Sequence, residues 1–176
     1  IKDILAYFQL ISEGEYYFQS IVRIIKSRGH VELATLITKN IDNRKSINNI
    51  KSIVKDILSR ENQELCQWFT ELEKMQYNNK LSLIRYVDNI FDYSGVILDN
   101  VGQSYQKKYN THCLIQFLSI IKEFISKNSD INFDHLVQYI ETLWSINSVR
   151  VTQFISDSSK NTLHVMTIHQ SKGKEF

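Results

Sequence analysis

The chain has 176 residues, 43% of them hydrophobic, and its 21 Lys and Arg residues nearly balance 19 Asp and Glu residues, for a net charge of +2. This composition excludes a disordered tail, and it excludes an overall electrostatic attraction to nucleic acid or anionic membrane, so any such contact must be local. The chain has no proline and only 5 glycines, where average usage gives about 9 and about 12, and so few turn residues nearly exclude an all-β sandwich or barrel.

Apolar residues recur at helical spacing along most of the chain, which predicts eight or nine helices joined by short polar links. Five shorter stripes begin at Ile1, Phe18, Ile47, Leu65 and Ile84. The clearest stripes follow, and they run from Leu114 to Ile125 and from Phe133 to Trp144. We expect these last two helices to pack as a pair, with Asp130 or Asn132 capping the second one. The predicted breaks, rich in Gly, Ser, Asn and Asp, are residues 12–14, 28–30, 40–45, 78–80, 94–95 and 147–161.

The pattern changes after Asn161. Residues 163–169 lack a helical stripe and are rich in β-branched side chains, which predicts one short strand followed by a tight turn. The backbone groups of a single strand need partners, so we expect the rest of its sheet to lie outside this chain. Because the chain starts at Ile1 without a Met and stops at Phe176, we expect it to be a piece of a larger protein.

Cysteine, aromatic and apolar residues point to no site of their own. Neither Cys66 nor Cys113 lies in a C-x-x-C pair or at metal-ligand spacing from a His, so we expect no metal site, a reducing intracellular setting and two buried thiols. No apolar run reaches the roughly 18 residues that a membrane span requires. Nine aromatic residues are candidates for stacking on bases, namely Tyr16, Tyr17, Phe18, Trp68, Phe69, Tyr77, Phe117, Tyr139 and Trp144. Most of them fall on the apolar stripes, and we expect those to be core rather than base-stacking residues.

The segment from Thr167 to Glu175 places hydrogen-bond donors and cations at the carboxyl end of the predicted strand, where open α/β sheets bind ligands. The Gly173–Lys174 pair is not a phosphate-binding loop, because Ile168 and Glu175 stand where that motif requires Gly and Ser or Thr. On spacing alone, an ordinary strand-to-loop turn remains the alternative.

Residues 166–176, M-T-I-H-Q-S-K-G-K-E-F, resemble motif V of the UvrD/Rep/PcrA and AddA group of superfamily 1 DNA helicases, with Lys174 in place of the usual Leu. Residues 1–11 resemble the I-K-D-x-x-A-Y-L-R-L segment that follows motif IV in this family. The middle of the chain resembles the family only weakly. There, residues 110–118 are similar to the family's N-L-x-E-F-L helix.

This resemblance implies an architecture. The fold is expected to be all-α, an irregular multi-helix bundle with one short C-terminal β-strand that belongs to an otherwise missing RecA-like domain. Residues 1–150 correspond to the helical 2B accessory subdomain, residues 151–161 to a linker, and residues 162–176 to the strand and turn of motif V at the edge of the RecA-like 2A domain.

The resemblance also implies roles for motif V residues. Thr167 and His169 correspond to contacts with phosphates of single-stranded DNA, a suitable task for a hydroxyl and an imidazole N–H. Lys172, Gly173 and Glu175 correspond to positions near the nucleotide. For His169, the alternative is an ordinary strand-end histidine that bonds to a loop carbonyl.

Duplex DNA is the second implied contact. The family usually carries a P-x-R-G-I-G turn after its first two helices, and residues 25–31, I-K-S-R-G-H-V, keep only part of it. Duplex contact is therefore expected from Arg23, Lys26, Arg28 and Gly29, because Arg23, Lys26, Arg28 and His30 form a small basic cluster around this turn. The alternative, of equal weight, is a solvated helix end where cations favour the carboxyl terminus.

The implied parent protein is an ATP-dependent 3′–5′ DNA helicase of DNA repair, cytoplasmic and nucleoid-associated in a prokaryote. Its cofactors are ATP and Mg²⁺, its partners are single-stranded DNA, the duplex junction and its own RecA-like domains, and it has no membrane partner. We expect this chain alone to bind neither cofactor and to be inactive, because it lacks the phosphate-binding loop, the Mg²⁺-holding acidic motif and the catalytic arginine. Two alternatives remain, a helical protein–protein interaction module without a nucleic-acid role and part of an AddA-like helicase–nuclease.

Overall fold

A computed structural model describes residues 1–41, 46–75, 82–128 and 130–145, and these residues are mostly helical. The predictions of an all-α fold and of eight or nine helices are confirmed for this part of the chain, which contains no strand. The predicted strand at residues 163–169 and the boundary near residue 150 lie outside the described residues. The helices are α1 (Lys2–Ile11), α2 (Tyr17–Ser27), α3 (Val31–Asn40), α4 (Ile47–Glu61), α5 (Gln63–Lys74), α6 (Leu83–Ser94), α7 (Val96–Asn100), α8 (Tyr105–Lys127) and α9 (Phe133–Ser145).

Two of these helices have no apolar stripe in the sequence, and the structure shows why. Helix α3 buries only Ala34 and Ile37, and the five-residue α7 buries only Val96. Helix α8 begins at Tyr105, well before its stripe at Leu114, because its first turns are exposed and need no apolar face.

Side-chain caps fix several helix starts. The side chains of Asn62, Ser82 and Ser104 accept backbone N–H bonds from the first turns of α5, α6 and α8. The predicted cap of α9 is confirmed at Asn132, whose Oδ1 accepts from the N–H of His135 at 2.9 Å. These bonds satisfy N–H groups that have no partner inside the helix.

Helix α1 lies at the centre of the core and contacts α2, α6 and α9. Its Phe8 is fully buried, stacked on Phe133 with ring centroids 5.9 Å apart and edge-on to Phe91 at 6.2 Å. The predicted pairing of α8 with α9 is also confirmed, since Phe124 stacks on Tyr139. One contiguous apolar core therefore joins the first helix to the last.

The aromatic and cysteine predictions hold in part. Cys113 is buried, but Cys66 is only half-buried, because it lies at the edge of the α4–α5 contact with its Sγ 3.9 Å from the carbonyl of Lys55. Tyr16 precedes the first turn of α2 and Trp144 lies in the last turn of α9, and both are exposed, contrary to expectation. Of the other aromatic residues considered, Tyr77 lies outside the described residues, and the rest are buried or half-buried, namely Tyr17, Phe18, Trp68, Phe69, Phe117 and Tyr139.

Candidate nucleic-acid interface

The turn that carries Arg28 and Gly29 closes helix α2. The N–H of Gly29 donates to the carbonyl of Lys26 at 3.0 Å, and the N–H of His30 donates to the carbonyl of Ile25 at 3.1 Å. Gly29 has a φ of 90°, and together these features form a Schellman cap. Both N–H groups are therefore used inside the turn, and the need for a left-handed residue explains why glycine stands there.

The Arg28 side chain is held by α1 and α5. Its guanidinium lies over the indole ring of Trp68, 4.4 Å from the centroid, and its Nε and Nη2 donate to the hydroxyl of Tyr7 at 3.3 and 3.2 Å. Trp68 packs edge-on against Tyr7 with ring centroids 6.3 Å apart, and its carbonyl accepts from the hydroxyl of Tyr93 at 2.8 Å. Arg28 thus joins three helices through a cation–π contact and two hydrogen bonds.

A groove of about 790 Å³ opens beside this cluster. Its ionic wall groups are Arg28 and the carboxylates of Asp3, Glu64 and Asp99. Burial raises the pKa of Tyr7, and the neighbouring Arg28 opposes that rise. A phosphate entering this groove would meet more negative than positive charge, so the groove suits an anion poorly.

A second groove, of about 640 Å³, adjoins the first and shares Asp3 with it. Arg23 and Lys26 line this groove. The Nη2 of Arg23 pairs with Oδ1 of Asp3 at 2.8 Å, but both side chains are about two-fifths exposed, and such ion pairs are weak. Lys26 is exposed and makes no ion pair within the described part of the chain. The net charge of this groove is therefore positive.

The structure thus divides the predicted duplex contacts between two neighbouring grooves, Arg23 and Lys26 in one and Arg28 and Gly29 in the other. The motif V residues lie outside the described residues, and they are Thr167, His169, Lys172, Gly173 and Glu175.

Over the ranges that the structure describes, no three His, Cys, Asp or Glu side chains are grouped to hold a metal ion. No helix in those ranges has the length and apolar character to cross a bilayer.

Sequence reasoning missed two features of this molecule. The partners of Arg28 are Tyr7 and Trp68, and their distance along the chain leaves no local signal. The second feature is the exposure of Leu98 and Val101 near the start of α8. The sequence carries no local signal for this exposure, because buried Val96 lies only two residues before Leu98.

Comparison with known proteins gives no relative for this chain, since no protein-family model, no curated protein and no solved structure matches it.

Proposed function

We propose that this chain is the helical accessory unit of an ATP-dependent 3′–5′ DNA helicase of the UvrD/Rep type, continuing into the segment that couples the nucleotide to single-stranded DNA. The observation that carries the proposal is the similarity of residues 166–176 to motif V. In this proposal, the helical unit touches the duplex or restrains unwinding, while ATP and Mg²⁺ bind to the RecA-like domains of the parent protein.

The ends of the helical unit support this proposal. The Nζ of Lys2 lies 5.6 Å from the ring centroid of Trp144, so the start of α1 is beside the end of α9. Farther along the same pair of helices, Nε2 of Gln9 donates to Oε1 of Glu141 at 2.9 Å. A unit inserted into another domain must leave and return at nearly the same place, and adjacent ends satisfy that requirement.

The groove lined by Arg23 and Lys26 is the better candidate for duplex contact. Lys26 is exposed without an ion pair among the described residues, and Arg23 can exchange its exposed partner Asp3 for a phosphate at small cost. Arg28 would have to leave both Trp68 and Tyr7 to reach a phosphate. We therefore assign Arg28 the role of positioning the turn, and Lys26 the direct contact.

Titration of fluorescently labelled forked DNA with this chain, at low and moderate salt, tests that assignment. We expect weak binding that falls as salt rises, because contacts with phosphates release counterions. Lys26→Ala should weaken binding by several fold at low salt, and Arg23→Ala somewhat less. Lys74→Ala is the matched control, since Lys74 is also an exposed lysine near a helix end but lines neither groove. Absence of binding at low salt, or equal losses for Lys26→Ala and Lys74→Ala, would remove the duplex contact.

A protein-interaction role without nucleic acid is the second candidate function. The observation in its favour is the exposure of Leu98, Val101 and Tyr105 between α7 and α8.

A further inference from the structure

The corner between α7 and α8, residues 96–105, exposes three large side chains with apolar surface. Leu98 is 75% exposed, Val101 is 59% exposed and Tyr105 is 69% exposed. Single exposed apolar residues are ordinary on a protein surface. Three of them within eight consecutive residues form a patch of the kind that contacts a partner.

The corner is held in place by side-chain hydrogen bonds. Asn100 is the centre of this frame, because its carbonyl accepts from Oγ1 of Thr111 and its Oδ1 accepts from Nδ2 of Asn110, both at 2.9 Å. Its own Nδ2 donates to the carbonyl of Val96 at 2.8 Å. Ser104 caps the start of α8. The exposed side chains therefore stand on a preorganised backbone, which lowers the ordering cost of binding a partner.

Two lysines adjoin the apolar side chains. Lys107 and Lys108 are exposed on the first turn of α8 and make no ion pair with any described residue. Lys107 lies across the corner, since a Cβ built at Gly102 would be 2.7 Å from its Cδ. Asp99 is the one acidic residue among residues 96–105, and it lines the groove beside Arg28, whereas Leu98 does not. The corner thus presents apolar surface together with unpaired positive charge.

We propose that this corner is a docking surface for an acidic segment of another protein, one in which apolar side chains are interspersed with Asp or Glu. The apolar side chains of such a segment would cover Leu98 and Val101, and its carboxylates would pair with Lys107 and Lys108. A purely apolar partner would bury the two ammonium groups unpaired, which is costly. Nucleic acid is a poorer match, because single strands bind by stacking bases on flat rings, and of the three exposed side chains only Tyr105 offers a ring.

Selection from a phage-displayed library of random peptides tests this proposal directly, with the 176-residue chain as bait. We expect the enriched peptides to contain apolar residues and an excess of Asp and Glu. Synthetic copies should bind the chain at least tenfold more tightly than they bind the Leu98→Ser/Val101→Ser double variant. The Lys107→Gln/Lys108→Gln variant should bind several fold more weakly and lose most of its salt dependence.

The control variant is Val31→Ser, since Val31 is 57% exposed, close to the exposure of Val101, but lies at the start of α3. It should bind the selected peptides as the unsubstituted chain does. Circular dichroism should show every variant folded, because none of these side chains is buried. Enrichment of basic or uncharged peptides, no enrichment, or equal binding to the Leu98→Ser/Val101→Ser variant would overturn the proposal. Displacement of the peptide by oligothymidylate, together with loss of oligothymidylate binding in Tyr105→Ala, would identify a nucleic-acid surface instead.

Discussion

The turn after α2 and the corner between α7 and α8 are both exposed and both carry basic side chains, but only one of them keeps its charges free. In the turn, Arg28 is held by Tyr7 and Trp68. In the corner, Lys107 and Lys108 have no ion-pair partner among the described residues and adjoin exposed apolar side chains. A cation that already stabilises the fold is a poor candidate for binding a partner. The two regions therefore differ less in their charge than in whether their cations already contact other residues of the chain.

The largest effect should come from removing the ring beneath Arg28. Trp68→Ala removes a half-buried aromatic side chain that contacts Tyr7 and Arg28, and we expect it to lower the free energy of unfolding by about 3 kcal/mol. Leu98→Ala, in the corner, should change it by less than about 0.5 kcal/mol, because Leu98 is 75% exposed. Urea unfolding followed by circular dichroism measures both values. Equal losses would show that the two regions do not differ as described.

Gly29 has a positive φ, a backbone conformation that Gly14 does not share. Gly29→Ala forces alanine into a φ of 90° with no atom within 4 Å of the new Cβ, so only the backbone conformation opposes it. We expect a loss of about 1–2 kcal/mol in the free energy of unfolding. Gly14→Ala is the matched control, because Gly14 has no positive φ and its new Cβ would make only an ordinary contact with Ser12. A neutral result for Gly29→Ala would contradict the cap geometry.

The Arg28 side chain should contribute to stability more than to DNA binding. Arg28→Ala loses the contact with Trp68 and the bonds to Tyr7, which we expect to cost about 1 kcal/mol of unfolding free energy. Lys107→Ala should cost less than about 0.5 kcal/mol. In the forked-DNA titration, Arg28→Ala should weaken binding less than Lys26→Ala does. The reverse order in DNA binding would return Arg28 to the set of direct contacts.

Alkaline pH should weaken the fold near the turn. Burial raises the pKa of Tyr7, and burial, helped by Glu71, raises the pKa of Tyr93 to about 12. An unfolded tyrosine ionises near pH 10, so the unfolded chain loses protons that the folded chain retains. Stability should therefore be unaffected by these groups below pH 10 and fall as pH rises from about 10 towards 12. Unfolding measurements across this range should show a smaller decline for Tyr93→Phe, and equal declines would contradict the cause.

Much of the fold could be predicted from the sequence, because long helices with one buried face produce a regular apolar stripe. The pairing of α8 with α9 and the cap at Asn132 were accessible in this way, since both depend on residues close together in the chain. Helices α3 and α7 were not, because they bury too few side chains to leave a stripe.

The candidate site was less accessible to sequence reasoning. The sequence indicated a turn at Arg28 and Gly29, because that chemistry is local. It could not indicate that Arg28 lies on Trp68, since that contact depends on how α2 and α5 pack. Nor could it separate exposed Leu98 from buried Val96, two residues away on the same short helix.

ATP hydrolysis by the intact gene product that contains this chain, measured with and without single-stranded DNA, tests the helicase proposal most directly. We predict that single-stranded DNA stimulates hydrolysis and that His169→Ala or Thr167→Ala reduces this stimulation at least tenfold, while Leu98→Ser leaves it unchanged. Absence of hydrolysis under both conditions, or full stimulation in the His169→Ala and Thr167→Ala variants, would contradict the assignment of residues 166–176 to motif V.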